Sequence, residues 1–334
     1  MTKLRMRSRL LFAGKLALGL GLLAWLLLWD DNWIKVLDLF VAVRPIYLIP
    51  FIAISFVLIG ISCLKWRLFL RDQNSSITFY RLFGLYLIGF FFNNFLPSNF
   101  GGDVARAYYL GKQIVSHTQS LASVFLERLT GLIALVFLAF VAYAVTPDFR
   151  QGELVSVSIG VLAAGCGAAV VALWHPSLIR TVLGPLEQSK VFDRLITKLY
   201  KFHDHIVYFK SKPDLVTKAM GYSFLFHICT AINVYLAALV LGVELSLLRL
   251  MVVTPIILVI ASLPLTPNSL GVWEWAFSVY LIPAGAELEQ GLAVALLLRA
   301  KTLVLSLAGG VLYLAEDRAV PAAAATPDGQ NPKP

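Results

Sequence analysis

The chain has 334 residues, of which 59% are hydrophobic and 14% are charged, and its mean hydropathy is +0.79. Because soluble domains carry about 25% charged residues, this composition excludes an ordinary soluble protein and predicts a polytopic membrane protein. The formal net charge of +9 would suit a nucleic acid, but the lysines and arginines cluster in connections between apolar runs, so we expect no nucleic-acid partner.

The N-terminal region joins a basic arm to an apolar run, Leu16 to Trp29, in the manner of a secretory signal. Asp30 and Asp31 follow this run where a cleavage site would need small residues, so we predict an uncleaved first span. A helix needs about 20 mostly apolar residues to cross a membrane. The full-length candidates are Leu10–Trp29, Tyr47–Trp66, Ser120–Val145, Leu154–Trp174, Met220–Gly242 and Gly291–Ala315.

Two further apolar regions are interrupted by polar residues, prolines and glycines. Leu82–Leu96 ends at Pro97 and a glycine pair, and Leu250–Ala284 is broken by LPLTPNSLG at 263–271. Non-helical backbone at membrane depth survives only where it is buried in protein or lines a wet cavity. We therefore predict an all-α polytopic membrane protein with six full transmembrane helices and two broken or re-entrant helical elements.

The distribution of basic residues predicts the orientation. The N-terminal arm and the connections at 65–81 and 175–219 hold 17 lysines and arginines, whereas the opposite connections hold four. Since basic connections stay in the cytoplasm, we expect both termini there. Each broken region must then return to its side of entry, one entering from the cytoplasm and the other from outside, which is typical of an inverted repeat.

A single membrane domain over residues 1–315 follows, with a first repeat at about 10–145 and a second at about 154–315. The cytoplasmic connector 175–219 carries apolar residues at helical spacing between lysines, which predicts an amphipathic helix on the anionic inner leaflet. A solvated connector helix is the alternative. Residues 316–334 are predicted to form a disordered tail because their sequence is of low complexity.

Charged residues inside the apolar regions indicate a polar interior, because each costs about 2.5–3.5 kcal/mol on the insertion scale when it faces lipid. We interpret a set of them, with their neighbours, as ligands for a lipid headgroup. The candidate residues are Asn94, Gly101, Gly102, Asp103, Arg106, Glu127, Arg128, Glu274 and Arg299. Pro97, Pro264 and Gly271 are interpreted as structural breaks.

Arg106 is the leading phosphate ligand in this hypothesis, because the planar guanidinium makes two parallel bonds to an oxyanion. The helix start after Gly101 and Gly102 would add free N–H groups for an anion, with Asp103 as its cap or as the group that orients Arg106. The alternative is a set of buried ion pairs that holds the two halves together. Glu127 and Arg128 point about 100° apart on a helix, so each is expected to find its partner elsewhere.

No catalytic residue, cofactor or metal site is expected. Cys63, Cys166 and Cys229 lie in apolar runs and lack metal-ligand spacing. His203-Asp204-His205 would spread its side chains around a helix. With no P-loop in the sequence, any transport is not expected to be driven directly by ATP.

The motif NxLPxxxGGDxxR at 94–106, followed by ERLTGL at 127–132, resembles the flippase-like membrane family related to the transmembrane region of lysylphosphatidylglycerol synthase. The resemblance covers about residues 10–315. The matching residues are Asn94, Leu96, Pro97, Gly101, Gly102, Asp103, Arg106, Glu127, Arg128, Gly131, Pro264, Gly271, Val272, Glu274 and Arg299. Ser269-Leu270 stands where the family more often has glycine-rich sequence, so we expect the second turn to be built differently.

This resemblance implies a flippase that moves an anionic, aminoacylated, isoprenoid or glycosylated lipid across the bacterial inner membrane. The implied partners are a lipid with an anionic or isoprenoid phosphate headgroup and the anionic lipids of the inner leaflet. Aminoacyl transfer is not expected, because the chain has no counterpart of the synthase's soluble domain. The alternative is an intramembrane enzyme or accessory subunit that acts on lipid-linked sugars or aminoacyl lipids.

Overall fold

The computed structural model describes residues 2–71, 77–95, 101–114, 117–174 and 211–323. Throughout these ranges the secondary structure is helical and contains no strand, which confirms the all-α class. The helices, numbered in chain order, are α1 (Thr2–Leu28), α2 (Asn32–Val41), α3 (Leu48–Arg71), α4 (Phe79–Phe95), α5 (Gly101–Ile114), α6 (His117–Ala144), α7 (Glu153–Trp174), α8 (Pro213–Val240), α9 (Leu247–Ser262), α10 (Val272–Tyr280) and α11 (Leu288–Ala323).

Five helical segments of the described chain are long and apolar enough to cross a membrane. They are Phe12–Val41, Pro45–Leu70, His117–Ala144, Pro213–Val240 and Leu288–Ala315. Five of the predicted spans coincide with these segments. The remaining one, Leu154–Trp174, corresponds to α7, whose apolar stretch is the shorter Glu153–Ala168. The polytopic membrane class is confirmed, whereas the count of six full spans stays a prediction.

The outer surface of these helices is apolar. Ile49, Val157 and Val304 have exposed fractions of 78%, 64% and 67%. Soluble monomers rarely expose contiguous apolar patches of large area, so this surface fits hydrocarbon as its surroundings.

The helices that flank each interruption pack into a hydrophobic core. The larger core surrounds α9 and α10 and includes Ile256, Phe277 and Leu292. A second core surrounds α4 and α5 and includes Leu85 and Leu110. In the second break Thr266 and Ser269 are buried, whereas Leu263 and Leu265 are 45% and 47% exposed.

The first interrupted region is an antiparallel helix pair. Gly102, at the start of α5, lies so close to α4 that a Cβ atom added to it would be 2.1 Å from the Gly89 carbonyl oxygen. The Gly102 amide donates a hydrogen bond to Asn93 Oδ1 (2.7 Å). Gly102, one of the predicted glycine pair, thus permits the close approach of the two helices. Residues 96–100, which include Pro97, lie outside the described residues.

The second interrupted region is built from a tight turn between α9 and α10. Asn268 and Ser269 have φ angles of 48° and 51°, and Gly271 has a φ angle of 77°. A Cβ atom on Gly271 would lie 2.2 Å from the Gly19 carbonyl oxygen of α1. Gly271 precedes the start of α10, and Ser269 adopts a left-handed conformation. Pro264 lies in the preceding connection, where its carbonyl accepts a hydrogen bond from Lys15 Nζ (2.7 Å).

The structure bears on three features predicted from the sequence: the place of Lys65, the start of the tail and the connector. Lys65, counted above with the cytoplasmic connection, is 4% exposed within α3. The last helix, α11, continues to Ala323, past the predicted start of the tail at residue 316. Most of the connector, 175–210, and the end of the tail, 324–334, lie outside the described residues.

A substitution in α11 tests the close packing around the first interrupted region. A Cβ atom on Gly309 would lie 1.8 Å from the Leu87 carbonyl oxygen of α4. Gly309→Ala therefore forces the two helices apart, and we expect a loss of about 1–3 kcal/mol or more, measured as a lower unfolding temperature in detergent. Gly160→Ala is the matched control, because an added Cβ atom in α7 has nothing within 4 Å. Equal unfolding temperatures for the two variants would contradict the packing.

Candidate functional site

Four charged residues of α5 and α6 form linked ion pairs. Arg106 Nη1 lies 2.7 Å from Glu127 Oε2. Arg128 donates hydrogen bonds from Nε and Nη2 to the two carboxylate oxygens of Asp103, at 3.0 and 2.8 Å. Asp103 also lies 3.0 Å from Arg106 Nη2 and so connects the two pairs. The prediction that Glu127 and Arg128 find partners other than each other is confirmed.

The Arg106 side chain is almost fully buried among carboxylates and aromatic rings. It is 2% exposed, and the guanidinium carbon lies 4.4 Å from the Tyr86 ring centre and 4.9 Å from that of Trp66. Aromatic rings attract a cation through their negative faces. With carboxylates and rings around it, Arg106 offers no exposed face to a lipid phosphate.

Asp103 contacts arginine side chains in the structure, whereas a cap at the start of α5 was expected. Its carboxylate accepts hydrogen bonds from Arg106 and Arg128. The amide of Gly102, in the first turn of α5, is satisfied by Asn93 Oδ1 instead. Asp103 therefore orients arginine side chains, as the other half of the hypothesis proposed, and Asn93 satisfies an amide at the helix start.

Lys65 is a fifth member of this group, and the sequence interpretation missed it. Its Nζ donates hydrogen bonds to the Glu127 carbonyl oxygen (2.8 Å) and to Ser223 Oγ (3.2 Å). Lys65 follows Ser55 and Ser62 at helical spacing, and all three side chains are buried. That polar stripe in α3 was the available signal. We call Lys65, Asp103, Arg106, Glu127 and Arg128 the α5–α6 charge cluster.

Arg128 is the exposed member of the α5–α6 charge cluster. Its side chain is 58% exposed, whereas those of Asp103, Arg106 and Glu127 are 13%, 2% and 5% exposed. Asp103 holds Nε and Nη2, and Nη1 takes part in none of the contacts within the described chain. The cluster thus presents one oriented guanidinium at its surface.

A second ion pair stabilises the turn between α9 and α10. Glu274 is fully buried, forms a close pair with Arg299 of α11, and accepts a hydrogen bond from the Gly271 amide (2.8 Å). Arg299 also donates to the carbonyl oxygens of Asn268 (3.3 Å) and Ser269 (3.4 Å). Backbone in sparsely populated conformations persists only when its surroundings fix it. Glu274 and Arg299 supply that constraint.

The two interrupted regions meet through a pair of asparagines. Asn268 Nδ2 donates a hydrogen bond to Asn94 Oδ1 (3.0 Å), and Asn94 Nδ2 donates to the Phe90 carbonyl oxygen of its own helix (3.0 Å). Because Asn93 holds the first turn of α5 and Arg299 holds Asn268, polar contacts extend from one broken region to the other. The structure therefore brings the predicted residues together as two ion-pair centres joined at Asn94 and Asn268.

Lys301 occupies a separate polar position in α11. Its Nζ donates to the Phe51 carbonyl oxygen (2.9 Å), forms a close contact with Asn233 Oδ1, and lies 3.7 Å from the centre of the Phe51 ring. In the described ranges no group of three or more His, Cys, Asp and Glu side chains could hold a metal ion. His203-Asp204-His205 lies outside those ranges.

Comparison with known proteins gives consistent matches over most of the chain. Residues 12–310 match the family described as the lysylphosphatidylglycerol synthase transmembrane region. A UPF0104 membrane protein of Methanothermobacter thermautotrophicus is 24% identical over 260 residues, covering 73% of this chain and 77% of that protein. Another from Pyrococcus horikoshii is 23% identical over 291 residues, covering 80% and 87%. A third, from Methanocaldococcus jannaschii, is 26% identical over 266 residues, covering 75% and 79%. None of the solved structures matches the chain significantly.

The two arginines of the cluster should differ in their effect on stability. Arg106→Ala leaves Glu127 buried without its partner, and removal of one member of a buried pair costs about 3–5 kcal/mol. Arg128→Ala removes a cation that is 58% exposed and leaves Asp103 paired with Arg106, so we expect a smaller loss. Unfolding in a mixed-detergent titration would measure both losses. Similar losses for the two variants would contradict the assignment of Arg106 as buried and Arg128 as exposed.

Proposed function

Because the chain belongs to the lysylphosphatidylglycerol synthase transmembrane-region family, we propose that it is a lipid flippase or translocase. It carries the polar headgroup of an anionic, aminoacylated, isoprenoid or glycosylated lipid across the cytoplasmic membrane, the inner membrane of a bacterium. The lipid tails stay in the bilayer during this movement. No chemical change of the lipid is part of the proposal.

The observation that carries this proposal is the exposed guanidinium of Arg128. A cation on an apolar helix costs about 2.5–3.5 kcal/mol if it faces lipid tails, so its exposed face calls for an anion or water. Asp103 fixes the orientation of Arg128 by two hydrogen bonds. An arginine held in this way can still offer its remaining N–H groups to a phosphate oxygen. Arg128 therefore replaces Arg106 as the proposed headgroup ligand.

The contact between the broken regions supplies the proposed route. From the α5–α6 charge cluster, polar groups continue through Asn93 and Asn94 to Asn268 and Arg299. We infer that these two elements enter from opposite faces and form an inverted repeat with six full spans. A headgroup would then pass between them where the Asn94–Asn268 hydrogen bond now joins them, so this bond must open during transport.

The proposed orientation places both termini and the 175–219 connector in the cytoplasm. Without Lys65, the connections on the proposed cytoplasmic side hold 16 lysines and arginines and the opposite connections hold four. The same orientation is therefore expected. The basic connector would then face the anionic lipids of the inner leaflet. Because α6 runs outward from His117 in this orientation, Arg128 lies in the cytoplasmic half of the bundle.

Substitution of Arg128 tests the proposed activity. In liposomes that contain a headgroup-labelled anionic lipid, Arg128→Ala should slow the appearance of label on the opposite leaflet by about 10- to 100-fold, the equivalent of one charged hydrogen bond. Arg128→Lys keeps the charge but loses the planar fork, so it should fall between Ala and the native protein.

Arg249→Ala is the matched control, because Arg249 forms an exposed pair with Asp148 (3.0 Å) away from the cluster. It should transport like the native protein. Native rates for Arg128→Ala would remove Arg128 as a headgroup ligand. A labelled product of altered mass would instead support the intramembrane enzyme.

Single cysteines test the orientation. In a variant without Cys63, Cys166 and Cys229, a cysteine in place of Ser211 should resist an impermeant thiol reagent in intact cells and react after permeabilisation. A cysteine in place of Asp148 should react in intact cells, because it lies on the opposite side in the proposed orientation. The reverse pattern would invert the topology.

A further inference from the structure

An exposed face runs along α5 and α6. Asp103, near the start of α5, contacts Arg128. His117, at the start of α6, stacks on Tyr108, so the two helices are antiparallel. Exposed side chains recur on both helices at helical spacing and are Val104, Tyr108, Lys112, His117, Leu121 and Arg128. At about 1.5 Å per residue, α6 rises about 16 Å from His117 to Arg128. Lys112, in the last turn of α5, therefore lies at one end of this face and Arg128 at the other.

Aromatic rings orient Lys112 at its end of the face. Its Nζ lies 4.6 Å from the centre of the Tyr108 ring and 5.5 Å from that of the Tyr109 ring. The Tyr108 ring in turn stacks against His117, with 5.5 Å between the ring centres and 16° between the planes. Because ring faces attract a cation, the ammonium group samples fewer positions than that of a surface lysine without such neighbours.

The ammonium group of Lys112 is available to an anion. It has three N–H donors, and within the part of the chain that the structure describes it forms neither a hydrogen bond nor an ion pair. In the proposed orientation the end of α5 lies at the cytoplasmic surface, where the phosphates of the inner leaflet also lie. Lysine binds phosphate as a point charge, so the position and the chemistry of Lys112 both suit a lipid phosphate.

We infer that Lys112 binds the phosphate headgroup of an anionic lipid from the cytoplasmic leaflet before that lipid reaches Arg128. Because this step extends the proposed function, it rests on that proposal and on its orientation. A separation of about 16 Å along the helix is too great for one phosphate to contact both cations, so the headgroup occupies the two positions in succession. Val104 and Leu121, which are 58% and 44% exposed between them, offer apolar surface to the acyl chains.

Lys218 of α8 provides the matched control. The anionic inner leaflet attracts any lysine near its surface, so a loss of charge alone would weaken lipid binding to some extent. Lys218 is exposed, lies at the same membrane surface in the proposed orientation, and contacts no aromatic ring within the described chain. Lys218→Gln therefore removes the same charge as Lys112→Gln without removing a cation that rings orient.

The test measures the lipids bound to the purified protein by mass spectrometry of the intact protein in a neutral detergent. Phosphatidylglycerol is the anionic probe and phosphatidylcholine the zwitterionic one. Lys112→Gln should weaken the binding of one phosphatidylglycerol molecule about 10-fold, as expected for the loss of a charged hydrogen bond, whereas Lys112→Arg and Lys218→Gln should bind it like the native protein. Tyr108→Leu should weaken this binding about 2- to 5-fold because it removes a ring face, and Tyr108→Phe should not.

Native affinity of Lys112→Gln for phosphatidylglycerol would overturn the inference. Equal losses in Lys112→Gln and Lys218→Gln would also overturn it, because they would show only a general attraction to anionic lipid. Equally tight binding of phosphatidylcholine would show that the charge of the headgroup is not recognised, and displacement of the lipid by free glycerol phosphate at the same concentration would show a site for a soluble anion. These measurements follow binding and not lipid movement, so native transport by Arg128→Ala would reject the proposed transport ligand without changing this result.

Discussion

Arg106 must be neutralised where it lies, and much of the described structure follows from that constraint. A buried guanidinium without carboxylates would be too costly in a membrane bundle. Glu127 of α6 and Asp103 of α5 supply the charges, while Tyr86 of α4 and Trp66 of α3 supply the ring faces. One side chain thereby fixes four helices relative to one another, and the shared Asp103 transmits that order to Arg128.

The helices around this group associate by close packing of backbone. Apolar surface gives little driving force for association in a solvent of lipid tails, so small residues at helix interfaces gain importance. Gly89 and Gly102 bring α4 against α5, and Gly309 brings α11 against α4. The close approach at Gly102 thus brings Asp103, the next residue, within reach of its arginines.

Much of this arrangement could be predicted, because helical periodicity and the free-energy cost of a charged residue in lipid can both be read from the local sequence. The apolar runs predict the spans, and the 100° offset between Glu127 and Arg128 predicts that their partners differ. Periodicity does not reveal which helices meet, so the burial of Lys65 and the contact between Asn94 and Asn268 were not predicted. It also does not distinguish a buried arginine from an exposed one, so it did not predict that Arg106 is buried and Arg128 exposed. The inverted repeat stays a prediction, because no membrane position is fixed by the contacts.

The contact of α1 with the second break has a consequence for the order of assembly. Lys15 donates to the Pro264 carbonyl oxygen, 249 residues further along the chain, and the backbones of Gly19 and Gly271 touch. During synthesis α1 leaves the ribosome first, and its partner emerges only when most of the protein has been made. Until then this face of α1 lacks the neighbours that it has in the folded chain. The earliest helix is therefore among the last to reach its final neighbours, and a nascent chain stopped before residue 271 would retain it in a laterally mobile state.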